Sequence, residues 1–188
     1  MLIPFPDRKF NIIYADPAWQ YANKKTGGSM KSGSAAKYPT MPTKEICAMP
    51  IRDIADKDSV LFLWITTPLL PDGFEVMKAW GYKYKTMLTW HKTGRLGLGF
   101  WFRGHTEHLL FGVKGKVKAF RLSEENFHET AVLKHSEKPE YFRGLIERAT
   151  AKIDNPRRIE LFARTRVEGW TAWGLEVDKN ESKGENQC

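Results

Sequence analysis

Cysteine is scarce in this 188-residue chain, where Cys47 and Cys188 are the only two. Two cysteines cannot build a disulfide framework or a four-cysteine zinc site, so a reducing compartment, the cytoplasm, is expected. Long hydrophobic runs are missing as well. None approaches the roughly 20 apolar residues that span a bilayer. The opening Met1-Leu2-Ile3-Pro4-Phe5-Pro6-Asp7 has no charged segment followed by an apolar one, so neither secretion nor membrane insertion is expected. A Gly-Lys-Ser/Thr phosphate loop is absent, which argues against an NTPase. Gly94, Gly97 and Gly99 lack the order of a dinucleotide fingerprint and read as a loop. His105 and His108 have no further ligand pair at suitable spacing, so no metal is expected. Acidic residues are in deficit: 22 Asp plus Glu against 30 Lys plus Arg leave a net charge of +8. That surplus suits a phosphate-rich partner or a plain basic surface.

What is present suffices for a core, since 41% of residues are hydrophobic and 13% aromatic. Continuous apolar runs at Phe10–Ala15, Ser59–Ile65, Leu109–Val113 and Ile159–Ala163 read as buried strands of a parallel sheet covered on both faces. Leu70, Phe74 and Met77 follow helical spacing. So do Phe142, Leu145, Ile146 and Ala149, after Pro139 near a helix start. Strands alternating with helices predict an α/β sandwich. The chain is expected to form one domain over 1–177. Ala22–Ser34 reads as a mobile loop and 178–188 as a frayed, disordered tail.

The sharpest local feature is Tyr14-Ala15-Asp16-Pro17-Ala18-Trp19, in which a buried strand ends in a carboxylate, a proline and a tryptophan. Ligands of doubly wound sheets sit at the carboxyl ends of strands. An amine on an aromatic ring needs two acceptors, and the Asp16 carboxylate with the Pro17 carbonyl can supply them. Trp19 or a neighbouring aromatic then offers a stacking face, worth roughly 1–3 kcal/mol per base. The plainer alternative has Asp16 capping a turn, Pro17 ending the strand and Trp19 in the core.

Asp16-Pro17-Ala18-Trp19 resembles the Asp-Pro-Pro-Trp signature of the MT-A70 family of S-adenosylmethionine-dependent adenine N6-methyltransferases. The resemblance continues in order through Tyr38–Met41, Leu61–Trp64, Trp80–Tyr82, Trp90–Lys92, Glu107–Gly115, Ser136–Pro139, Ile146–Arg148 and Ile159–Arg164. It implies a Rossmann-like methyltransferase sandwich with a mostly parallel central sheet. It also implies S-adenosylmethionine as cofactor and a catalytic segment of Asp16, Pro17, Ala18 and Trp19. On the cofactor side it points to Asp16, Ser136, Lys138, Phe162, Arg164, Gly174 and Glu176, with Lys138 on the methionine carboxylate and Glu176 on the ribose. On the target side it points to Tyr38, Trp90, Lys92, His105 and Glu107. Two departures stand out. Ala18 replaces the second proline, and Arg166-Val167 and Leu175-Glu176 replace the His-Asn and Asn-Gln pairs of the messenger-RNA enzymes.

The resulting expectation is methyl transfer to adenine N6 in a polynucleotide, DNA ahead of RNA, with a duplex target base flipped out of the stack. A non-catalytic nucleic-acid-binding partner subunit and a cytosine N4 methyltransferase are the alternatives. Lys24, Lys25, Lys31 and Lys37, with Lys83, Lys85, Lys92, Arg95 and Arg103, are expected to line a phosphate-tracking groove. With no separate recognition domain in view, modest sequence specificity or a second subunit in a homo- or heterodimer is expected.

Overall fold

The computed structural model describes residues 3–21, 40–94, 101–131 and 138–177. Its elements, in chain order, are β1 (Phe10–Ala15), α1 (Thr43–Ala48), α2 (Ile51–Ile54), β2 (Ala55–Thr66), α3 (Leu70–Ala79), β3 (Lys83–Thr93), β4 (Thr106–Lys114), β5 (Phe127–Ala131), α4 (Glu140–Ala149), β6 (Arg158–Leu161) and β7 (Thr171–Trp173). The strands form one seven-stranded sheet of order β5-β3-β4-β2-β1-β6-β7.

All six side chains of β1 are buried, as its unbroken apolar run requires of a central strand. Its odd and even positions feed two cores. Ile13 and Ala15 pack with Leu61, Leu63 and Ile65 of β2 against α1, α2 and α3. Ile12 and Tyr14 pack with Val60, Phe62 and Trp64 against Phe142, Leu145 and Ile146 of α4. Helices therefore cover both faces, and each large apolar side chain so buried contributes roughly 1.5–3 kcal/mol.

Four pairings, β1–β2, β1–β6, β3–β5 and β6–β7, are parallel. β4 runs antiparallel to both β2 and β3, which corrects the parallel reading of its apolar run. Burial on both faces makes a strand continuous in hydrophobicity whichever way it points, so Leu109–Val113 gave no sign of direction. Phe74 is a second correction. It is 41% exposed and meets the Tyr84 ring edge-on, 5.0 Å between centroids, whereas Gly73, Val76 and Met77 are the buried residues of α3.

The strand directions have one consequence for chemistry. The carboxyl ends of β1, β2, β3 and β6 and the amino end of β4 gather at one end of the sheet. Lys83 and Lys85 begin β3 and so lie toward the opposite end from Lys92, about 30 and about 23 Å away at 3.3 Å per residue. The expected basic groove is thereby divided. Its members Lys24, Lys25, Lys31, Lys37 and Arg95 fall outside the described residues, as do the 22–34 loop and the 178–188 tail. Among the described residues no helix is long and apolar enough to cross a membrane.

Candidate active site

At the end of β1 the chain leaves the sheet through Asp16 and the buried Pro17. The Asp16 N–H still donates to the Leu161 carbonyl, 3.4 Å, so the carboxylate starts from the seam between β1 and β6. The next residues are held from outside. Trp19 N–H donates to the Pro17 carbonyl at 2.9 Å, Met41 N–H to the Ala18 carbonyl at 2.8 Å, and Gln20 N–H to the Met41 carbonyl at 3.0 Å. A second proline would stiffen this turn covalently. With Ala18 in its place, the Met41 bridge supplies the restraint.

Four charged side chains meet beside this turn. Lys138 Nζ lies 2.7 Å from Asp16 Oδ2 and 3.4 Å from Glu107 Oε2, and Lys92 Nζ pairs with the other oxygen of Glu107. The order Asp16, Lys138, Glu107, Lys92 thus alternates in sign. Lys138 and Glu107 are the enclosed pair, at 13% and 15% side-chain exposure. Burial works against the charge of each, and its neighbours prevail. Lys138 and Lys92 hold Glu107 below the usual carboxylate range, and Asp16 and Glu107 raise Lys138 above the ordinary lysine value.

An aromatic floor underlies the cluster. The Lys138 ammonium lies 5.3 Å from the Trp64 ring centre and the Lys92 ammonium 4.8 Å from that of Trp90. Trp64 is also tied in by hydrogen bonds. Its Nε1–H donates to Tyr14 Oη at 2.7 Å, and its carbonyl accepts the Trp19 indole N–H at 2.9 Å. Trp19 and Trp90, 7% and 2% exposed, are core residues, which corrects the expectation that Trp19 offers a stacking face. The plainer alternative holds for that ring, while its position still fixes the turn.

The remaining expected residues divide into three groups. His105 Nδ1 donates to the Lys92 carbonyl, 3.0 Å, at the foot of β3. His108 is buried between the Thr67 and Thr89 hydroxyls at 3.0 and 3.1 Å, and burial lowers its pKa. Phe162, Arg164, Gly174 and Glu176 come together beyond the ends of β6 and β7. A Cβ on Gly174 would fall 2.1 Å from the Ala163 carbonyl oxygen and 2.7 Å from its nitrogen. Glycine therefore lets the two backbones touch and brings Glu176 within 3.9 Å of Arg164. Phe162 has φ 63°, unusual for a bulky side chain and characteristic of functional turns. Tyr38 and Ser136 lie outside the described residues.

Sequence reasoning missed the Trp64 floor, the 2.5 Å contact between the Tyr21 and Thr66 hydroxyls, and the Glu160–Arg143 ion pair at 2.7 Å. Burial raises the Glu160 pKa against the pull of Arg143. An acid inside the apolar run Ile159-Glu160-Leu161 was the available signal, because a buried carboxylate needs a partner.

The model of the MT-A70 family matches residues 10–176. The chain belongs to the MT-A70 family. Its similarity to the type II methyltransferase M.MunI of a Mycoplasma species is 32% identity, over 94% of this chain and 81% of that protein. It is 29% identical to the human N(6)-adenosine-methyltransferase catalytic subunit METTL3 and 27% to the Arabidopsis thaliana N(6)-adenosine-methyltransferase MT-A70-like, over 90% of this chain in both. These alignments span only 28% and 24% of the two longer proteins. The mixed sheet with helices on both faces agrees with the Rossmann-like fold of the MT-A70 methyltransferases.

Proposed function

We propose that this chain transfers a methyl group from S-adenosylmethionine to N6 of adenine in DNA. The observation that carries this reading is Asp16 at the carboxyl end of a central strand, bonded to Lys138 and followed by a carbonyl-bearing turn.

The residues present fit the cofactor by their chemistry. An ammonium has three hydrogens, and Asp16 and Glu107 take two of those on Lys138, leaving one for the methionine carboxylate. Asp16 offers a carboxylate to the cationic end. Phe162 supplies an aromatic face, and Arg164 and Glu176 supply polar groups for the ribose, all brought close by the Gly174 contact with Ala163. Tyr38 and Ser136 are assigned to target and cofactor through the resemblance alone. When bound, S-adenosylmethionine supplies the activated methyl group.

The chain itself positions the acceptor amine. Asp16 Oδ1 and the Pro17 carbonyl accept its two hydrogens. The Pro17 oxygen already holds the Trp19 N–H and has a second lone pair free for this task. Holding both hydrogens favours a pyramidal nitrogen with its lone pair exposed, so catalysis rests on placement and preorganised charge. Lys92 and Glu107, on the side away from β6, frame the incoming adenine, and His105 fixes the main chain at Lys92.

DNA is preferred because the alignment runs over most of the length of a type II methyltransferase but only about a quarter of the N(6)-adenosine methyltransferases. A duplex target must present its adenine outside the stack. The protein acts in the cytoplasm, with either modest sequence specificity of its own or a second subunit, in a homo- or heterodimer, contributing target recognition. Mass analysis of nucleosides from DNA and RNA treated with protein and S-adenosylmethionine tests the proposal. N6-methyldeoxyadenosine is expected, and N4-methylcytosine or methylation confined to RNA would overturn it. Absence of turnover despite cofactor binding would point to a non-catalytic partner subunit.

A further inference from the structure

A second basic site lies at the other end of the sheet. The amino ends of β1, β6 and β7 border an open cleft of about 420 Å³, lined by Arg8, Asn155, Arg157, Arg158, Trp170 and Thr171 among others. Its size is within the roughly 300–1,000 Å³ range of ligand clefts. The three arginines are not equally committed. Arg157 is held by Asp56 and by the Lys9 carbonyl. Among the described residues Arg8 bonds a neutral group, the Thr171 hydroxyl, with its guanidinium 4.9 Å from the Phe10 ring centre. Arg158 Nε is buried and has no hydrogen-bond partner among the described residues.

A buried guanidinium N–H without an acceptor is costly. Three guanidinium groups around one cleft, two of them without a carboxylate among the described residues, select a compact anion with several acceptor oxygens. Planar guanidinium forks match phosphate best. The surrounding backbone is fixed for the purpose. Asn155 has φ 48°, its carbonyl accepts the Asn11 amide at 3.2 Å, and the Arg157 N–H donates to the Asn11 side chain at 2.8 Å. Trp170 forms a wall, its indole N–H directed to Glu147 at 2.7 Å.

We propose that this cleft binds a phosphate group, and that its source is the backbone of the same nucleic acid whose adenine reaches Asp16. Parallel strands put the two sites at opposite ends of β1 and β6. Arg158 pairs with Ile12, four residues before Asp16, and Arg8 stands eight residues before Asp16, so the two sites lie roughly 13–26 Å apart at 3.3 Å per residue. A duplex along the β6–β7 edge therefore needs about 8 base pairs at 3.4 Å each to reach both. The backbone assignment rests on the nucleic-acid reading above; the phosphate assignment does not.

The test compares wild type with the Arg8→Ala/Arg158→Ala double variant in binding inorganic phosphate, a short DNA duplex formed by a hairpin stem of about 4 base pairs, and a long duplex of about 24 base pairs, across a salt series. Arginine Nε–H resonances report phosphate binding. The variant should bind the long duplex about tenfold more weakly, with a salt slope shallower by roughly 1–2, and bind and methylate the short duplex as wild type does. Phosphate shifts lost in the variant without any length effect would assign the cleft to a free phosphate. If wild type binds phosphate but no duplex, the nucleic-acid reading fails while the phosphate site stands. Equal behaviour of both proteins toward phosphate and both duplexes would overturn the proposal.

Discussion

The Lys138 ammonium lies over the Trp64 indole, 5.3 Å from the ring centre, while its charge is shared between Asp16 and Glu107. A cation over a desolvated ring gains about 2 kcal/mol. Trp64 thus positions the lysine without touching any reacting group. Trp64→Leu should weaken binding of the demethylated cofactor product by about tenfold, and Trp64→Phe by less, as read by calorimetry. The effect of Trp64→Leu should vanish in a Lys138→Met background. If the two changes add independently, the positioning role is wrong.

Asp16→Ala removes one of the two acceptors proposed for the amine while leaving the fold, because the carboxylate is at the strand end and outside both cores. Methyl transfer should fall by at least about 100-fold, the cost typical of losing one preorganised polar group. Rates near wild type, with unchanged thermal unfolding, would remove Asp16 from the mechanism.

Lys138→Met leaves Asp16 and Glu107 without their shared cation. Because Glu107 keeps Lys92 and Asp16 is partly exposed, the cost is about 1–3 kcal/mol, and the loss should appear in denaturant unfolding. Cofactor affinity should drop more than DNA affinity. The pH range follows from the shifts. The depressed Glu107 contributes stability above the ordinary glutamate value, lost as pH falls through its lower folded value. The raised Lys138 contributes below the ordinary lysine value, lost as pH rises through its higher folded one. Between those limits wild-type affinity should owe no pH dependence to this pair.

His108 has the opposite sign to Lys138. Burial lowers its pKa, so the unfolded chain takes up the proton more readily and stability declines as pH falls through the ordinary histidine range near 6.5. His108→Gln should flatten the melting temperature between about pH 7 and 5.5 relative to wild type. An unchanged slope would show that this ring does not titrate differently on folding.

Gly174→Ala tests the joint between the two segments proposed to hold the cofactor. The added methyl meets backbone at 2.1 Å, and no side chain can swing away to relieve it. A loss of about 1–3 kcal/mol is expected from overpacking, with weaker cofactor binding because Glu176 and Arg164 are forced apart. Wild-type stability would mean that the segments separate freely.

Much of the fold was legible because burial on both faces leaves an unbroken apolar run, as in Phe10–Ala15 and Ser59–Ile65. β3 escaped because Lys83, Lys85 and Lys92 interrupt it, and β7 because three residues give no period. Asp16, Lys138, Lys92 and Glu107 were legible as types in an ordered series of motifs. Their mutual contact was not, since Glu107 joins the others only through the reversal of β4. Trp19 was read as a stacking face of the catalytic segment and Trp90 as a target-side residue because aromatics serve bases and cores equally well, and only packing separates the two uses.

The reversal of β4 couples two charges that the chain keeps apart in sequence. Lys92 lies one residue before the end of β3 and Glu107 one residue after the start of β4, in pairing fixed by Trp90 opposite Glu107 and His91 opposite Thr106. A one-residue slip of either strand would turn one of the two side chains to the other face of the sheet and part the pair, so the ladder between β3 and β4 sets the geometry of the charged cluster.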